Sequence, residues 1–178
     1  MTEINPHDRE YTQIRMALRD LCGSFPSDYW HKVEAESGYP EEFVEALTEA
    51  GWLSALIPEE YGGGGASLTE ASVIMEEINR SGANSGACQA QMYIMGTLLR
   101  HGSEEQKKKY LPKIASGELR LQSFAVTEPN TGTDTTKLKT FAEKRGDRYV
   151  VNGQKVFISR VPHSDLMLLL APFLKGCD

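Results

Sequence analysis

The spacing of apolar residues changes once along this chain, from three or four residues to two, near residue 118. Helices and strands bury their faces at these different periods, so the change divides the chain into a helical block and a β block. Upstream, Asn5-Pro6 reads as a helix start, with Tyr11, Ile14, Leu18 and Leu21 at helical spacing before Gly23. A short helix over 28–35 follows. Pro40 opens a third, with Phe43, Ala46 and Leu47 on one face and Gly51 as its left-handed cap. Ser67-Leu68-Thr69-Glu70 and Ser103-Glu104-Glu105-Gln106 have the form of capping boxes, each launching a helix. Between them, residues 83–99 carry no charge. That predicts a core helix buried on most sides; the alternative reading is that its small side chains leave room for a ligand.

From Leu119 the residues alternate. The stretch 119–126 reads as a strand, Phe141 lies in a second and 148–151 form a third. Asn152-Gly153 reads as a type I′ hairpin turn, with 155–159 as the returning strand. Leu166 to Ala171 is a further apolar strand that wants partners on both faces. The expected fold class is α+β: an N-terminal all-α helical domain over 1–117, then an incomplete antiparallel β-barrel domain over 118–178. Four or five strands do not close a barrel, so the chain is expected to be a fragment or to pair with another chain.

Charge and composition remove several function classes. With 19 Lys+Arg against 25 Asp+Glu the formal net charge is −6, which leaves no basic stripe for nucleic acid or an anionic membrane. Hydrophobic residues at 40% and charged residues at 25% are those of a globular chain, not a disordered one. The three cysteines, Cys22, Cys88 and Cys177, include no CxxC, so neither a disulfide framework nor a metal site is expected. The uncharged stretch 81–99 is too broken by glycine and amides to span a membrane. The first residues have no export or transit pattern, and a cytoplasmic location is expected.

Few residues carry candidate chemistry. The run Gly62-Gly63-Gly64-Gly65 lacks the lysine of a phosphate loop and follows no strand, so it reads as a flexible turn between helices. His101 reads as a helix C-terminal cap, and Lys107-Lys108-Lys109 as a solvated helix face. His7, His31 and His163 stand in no nucleophile context. The segment 124–134 differs: a strand ends at Thr127, Pro129 blocks its continuation, and Asn130-Thr131-Gly132-Thr133 follows. Hydroxyls and backbone N–H groups beside an apolar strand end suit a ligand with a flat apolar part and polar edges; the composition equally fits an ordinary strand-to-loop exit.

Phe124-Ala125-Val126-Thr127-Glu128-Pro129 with Gly132-Thr133-Asp134 resembles a signature of the acyl-CoA dehydrogenases. Asn152-Gly153-Gln154-Lys155 followed by Phe157-Ile158-Ser159 is similar to their second signature, although many members carry Trp where Phe157 stands. The stretches from Leu56 to Gly63 and from His101 to Lys107 are also similar, and the likeness runs from about residue 10 to Ala171.

The resemblance implies FAD-dependent oxidation of an acyl-CoA thioester between its α and β carbons, in an oxidoreductase of fatty acid metabolism. It implies a flavin ring held by Phe124, Ala125, Val126, Thr127, Gly132, Thr133, Phe157, Ile158 and Ser159, with Thr133 also on the substrate side. The implied partners are the acyl-CoA, an electron-accepting flavoprotein and, in a full-length form, further copies of the chain. No residue here matches the family's catalytic base, so the chain by itself is not expected to be active, and Glu128 reads as a structural acid. Two alternatives stand beside this reading. One is an acyl-CoA oxidase or nitroalkane-oxidising relative; the other is a non-catalytic interaction module that completes its barrel with a partner chain.

Overall fold

The computed structural model describes residues 11–173. The Asn5-Pro6 helix start, His7 and Cys177 lie outside the described residues. The chain divides into two compact units, Met1–Arg120 and Leu121–Asp178.

The first unit is helical: α1 (Thr12–Gly23), α2 (Ser27–Ala35), α3 (Glu41–Glu49), α4 (Leu68–Arg80), α5 (Gly86–His101) and α6 (Glu104–Ala115). Both capping boxes form. The Ser67 hydroxyl accepts from the Glu70 N–H while Glu70 accepts from the Ser67 N–H, and Ser103 and Gln106 repeat the exchange. Each such cap contributes about 1 kcal/mol to its helix. The core gathers Leu18 of α1, Phe43, Val44 and Leu47 of α3, and Ile74 and Ile78 of α4 around Ala87, Cys88 and Met92 of α5. Phe43 meets Phe25 and Trp30 edge-on, with ring centroids 5.1 and 4.9 Å away. The uncharged segment forms α5, whose Ala87, Cys88, Ala90, Gln91, Met92, Ile94 and Met95 are all buried. Cys22 and Cys88 are both free and buried. Among the described residues no helix is long and apolar enough to cross a membrane.

The glycine run is not a loose turn. The N–H groups of Gly63, Gly64 and Gly65 donate to the carbonyls of Pro58, Ser54 and Ile57. A Cβ on Gly63 would collide with the Ile57 carbonyl. Those N–H groups are therefore unavailable to an anion; close packing at Gly63 and left-handed backbone at Gly62 and Gly65, not flexibility, explain these glycines.

The second unit holds β1 (Leu121–Ala125), β2 (Phe141–Arg145), β3 (Arg148–Asn152) and β4 (Leu166–Leu169). Its β region is open, as expected of a partial barrel: among the described residues the strands pair only as β1-β4 and β2-β3. The pairing corrects two expectations. The β1-β4 pair is parallel, and only β2-β3 is antiparallel. The hairpin turns at Gly146-Asp147, with Gly146 at φ +63°, because Arg145 faces Arg148. Asn152 is a ladder residue opposite Phe141, and 155–159 form no strand. The β4 run is less covered than its composition suggested, since Met167, Leu169 and Leu170 remain exposed.

Helices α1 and α4 are joined by a buried ion network. Arg15 Nη1 lies 2.6 Å from Glu77 Oε1 and Arg19 Nε 2.8 Å from Glu77 Oε2, while Arg15 and Glu77 are only 4% and 1% exposed. The Arg19 guanidinium above all, joined by Arg15, holds the Glu77 carboxyl below its ordinary range against the opposing effect of burial. Removing one partner strands a buried charge, so Glu77→Leu is expected to lower the unfolding free energy by about 3 kcal/mol, read by urea denaturation.

Candidate functional site

The two stretches singled out in the sequence meet in the second unit. Strand β1 is buried along its whole length except at the half-buried Phe124, and its parallel neighbour pairs Phe124 with Leu168 and Ala125 with Leu169. The buried Ser123 hydroxyl lies 3.1 Å from both the Ser159 carbonyl and the Ser164 hydroxyl. It has one proton to give, which goes to the carbonyl, leaving a hydroxyl-to-hydroxyl contact with Ser164. The Thr127 carbonyl accepts the Val156 N–H at 2.9 Å, and the Val126 carbonyl accepts Lys155 Nζ at 2.8 Å. Residues 123–128 and 155–159 are thus laced together along the exit of β1.

Glu128 anchors that exit. Glu128 and Thr131 exchange backbone hydrogen bonds of 2.8 and 3.1 Å across Pro129-Asn130, which folds the loop back on itself. The Glu128 carboxylate, 6% exposed, accepts the Lys139 N–H at 2.7 Å, the Thr140 N–H at 2.8 Å and Lys155 Nζ at 3.0 Å. The buried Thr140 hydroxyl, which makes no aligned hydrogen bond, is the strongest influence on its titration. With the two N–H groups and the Lys155 ammonium it brings the carboxyl down to about 2, although burial pulls the other way.

The aromatic of the second stretch stands out on an unusual backbone. Phe157 has φ +59°, and Arg160 has φ +60°. A bulky side chain in the left-handed region costs about 1–3 kcal/mol and persists only where its surroundings impose it. The Phe157 side chain is 92% exposed, so core packing is not the compensation. Ile158 is half-buried and Ser159 exposed.

The other singled-out residues are distributed unevenly. Phe124, Val126 and Thr127 are half-buried and Ala125 is buried, all on β1 or its exit. Gly132 and Thr133 sit on an exposed loop; a Cβ on Gly132 would meet open space, and the Thr133 carbonyl accepts the Thr135 N–H. Among the described residues no hydrogen bond ties Gly132 or Thr133 to 155–159. Sequence reasoning passed over Lys155 as a participant; its signal was a lone cation entering an apolar run. An exposed aromatic, an apolar strand end and the hydroxyl-bearing Thr127 and Ser159 fit a flat ring with a polar edge. Among the described residues no cluster of His, Cys, Asp or Glu could hold a metal ion.

Two cavities lie in the helical unit. One of about 600 Å³ opens between α4 and α5, lined by the apolar Leu68, Ala71, Met75 and Met92 and by the polar Ser72, Gln89, Arg100 and His101. Another of about 670 Å³ is bordered by Arg19, Cys22, Trp30 and His31.

Comparison with known proteins matches both units. Residues 8–118 match the model of the acyl-CoA dehydrogenase N-terminal domain, and residues 123–176 that of the middle domain. Acyl-CoA dehydrogenase FadE12 of Mycobacterium tuberculosis is 37% identical over 164 residues, 89% of this chain and 42% of that protein. Mitochondrial isovaleryl-CoA dehydrogenase of Pongo abelii is 39% identical, over 94% of this chain and 40% of its own. The crystal structure of acyl-CoA dehydrogenase from Geobacillus kaustophilus superposes with a TM-score of 0.82 at 32% identity, covering 96% of this chain and 44% of that one. The chain therefore spans roughly two-fifths of the length of these curated relatives.

Glu128 sets a pH dependence. Its folded-state carboxyl is depressed from 4.5 to about 2, so its contribution to stability is complete above 4.5 and is lost as pH falls toward 2. Glu128→Gln is expected to flatten the loss of stability of the β unit over that window, followed by urea midpoints at stepped pH.

Proposed function

Because the chain belongs to the acyl-CoA dehydrogenase family, we propose that it supplies the flavin-ring platform of a cytoplasmic, FAD-dependent enzyme that oxidises an acyl-CoA between its α and β carbons. When bound, FAD supplies the hydride acceptor. Phe157 packs against the ring, and Phe124, Ala125 and Val126 line its apolar side with Ile158. The hydroxyls of Thr127 and Ser159 engage its polar edge, and the exposed loop residues Gly132 and Thr133 lie toward the flavin and the acyl-CoA, Thr133 making the substrate contact. The observation that carries this reading is the lacing of 123–128 to 155–159, which brings hydroxyls, an apolar strand end and an exposed aromatic into one neighbourhood.

The cavity between α4 and α5 suits the acyl chain, since Leu56, Leu68, Ala71, Met75 and Met92 give it apolar walls, with Ser72, Gln89, Thr97, Arg100 and His101 as polar groups among them. Removal of the α-proton needs a carboxylate that this reading assigns to no residue here. Glu128 is unsuited to it: a carboxyl held at about 2 by N–H groups and an ammonium is a poor proton acceptor near neutral pH. The electrons pass on to an acceptor flavoprotein, and the complete enzyme is a homo-oligomer.

A second reading, a binding module that completes its β region against another chain, is favoured by exposed Met167 and Leu169 on β4 and Leu170 just after it. Titration with FAD separates the two. The flavin reading expects the purified chain to keep visible absorbance near unit stoichiometry after removal of free FAD, and Phe157→Ala to weaken retention by roughly tenfold. A colourless protein that associates with itself favours the module. In a polypeptide carrying all domains of the family, Thr127→Ala and Ser159→Ala are each expected to change turnover or the flavin spectrum without unfolding, on the scale of one hydrogen bond, about 0.5–1.5 kcal/mol. Unchanged spectra and kinetics in both would remove these hydroxyls from the site.

A further inference from the structure

Lys155 has no place on the ring in the reading above, yet its side chain is only 9% exposed. A buried ammonium is costly unless its protons find acceptors. Here Nζ lies 2.8 Å from the Val126 carbonyl and 3.0 Å from Glu128 Oε1, while the next residue, Val156, donates its N–H to the Thr127 carbonyl at 2.9 Å. Residues 155 and 156 thereby grip residues 126, 127 and 128. Immediately beyond comes Phe157 at φ +59°. A bulky residue left to itself relaxes out of that region, so the chain before it must be held.

The grip is built from both sides. Glu128 is fixed by the N–H groups of Lys139 and Thr140 before Lys155 reaches it. Gly153 lies so close to Thr140 that a Cβ there would collide with its hydroxyl and Cα, and this crossing delivers Lys155 to the carboxylate. We propose that Lys155 is a positioning residue: its buried pair with Glu128 clamps 155–156 to the exit of β1 and so sets the backbone that presents Phe157, Ile158 and Ser159 to the ring. The identity of the ring rests on the proposed function; the clamp is a property of the β unit itself.

Amide hydrogen exchange on the flavin-free chain tests the clamp, and added FAD tests its consequence. Lys155→Met is expected to make the Val156 amide exchange roughly tenfold faster while the β2-β3 amides keep their protection. Lys155→Arg, which keeps the charge, is expected to restore most of it. With FAD, Lys155→Met is expected to alter the visible bands or weaken retention, and Lys155→Arg to recover them. Unchanged protection of Val156 in Lys155→Met overturns the proposal. If the parent chain takes up no FAD but Val156 is released and then rescued by arginine, the clamp stands and the flavin reading fails. If the parent chain binds FAD and Lys155→Met binds it identically with Val156 released, the positioning role fails and the flavin reading stands. Should circular dichroism show Lys155→Met unfolded, Lys155→Gln, which keeps a donor for the Val126 carbonyl without the charge, is read by the same outcomes.

Discussion

The Glu128 carboxylate draws the N–H groups of Lys139 and Thr140 and the ammonium of Lys155 into a site almost closed to water. These donors come from well-separated points of the chain, so the carboxylate does for this small unit what a large apolar core does elsewhere. Burying it unpaired would cost more than such a unit can spare, and each donor removed leaves a charge less compensated. The open strand pairs show why this matters. With only β1-β4 and β2-β3 paired among the described residues, ladder hydrogen bonds alone do not fix how the loops between the strands run. The Glu128 contacts supply that constraint, and residues 123–128 meet 155–159 because of it.

Much of the helical unit was legible because its signals are local. Both capping boxes, the Gly51 cap and the apolar stripes of α1, α3 and α4 depend on residues within a turn or two, and each forms. The uncharged α5 was legible for a different reason: a helix with no solvating side chain has to be covered, and it is. The glycine run misled about rigidity. Four glycines in sequence look flexible, but what decides is whether other backbone meets them, and Ile57 comes from a few residues upstream to do so.

In the β unit the locally strongest turn signal lost to a weaker one. Gly146-Asp147 is a serviceable hairpin turn, and pairing there gives five matched residue pairs from Phe141↔Asn152 to Arg145↔Arg148. A turn at Asn152-Gly153 would have taken Asn152 out of that ladder. The candidate ring residues were legible as two separate stretches, but their adjacency was not. It rests on Ser123, Lys155 and Val156, whose partners lie 29 to 36 residues away in sequence, and nothing in either stretch alone names the other.

Gly153 shows how one residue can be read correctly as special and wrongly as to why. Its value in a hairpin is a freely chosen φ; its value here is the missing side chain. The chain crosses Thr140 at a distance no Cβ tolerates, and Thr140 is the residue whose N–H and hydroxyl attend the Glu128 carboxylate. The same crossing therefore brings Lys155, two residues on, within 3.0 Å of that carboxylate. Any side chain at 153 pushes the strand exit from Thr140 and withdraws the lysine with it, leaving Glu128 and Lys155 each to find water in a site with little room for it. The strain at Phe157 follows from this: once 155 and 156 are held against β1, the next residue turns where the clamp directs it, and an aromatic is carried out into solvent on a backbone it would not choose alone.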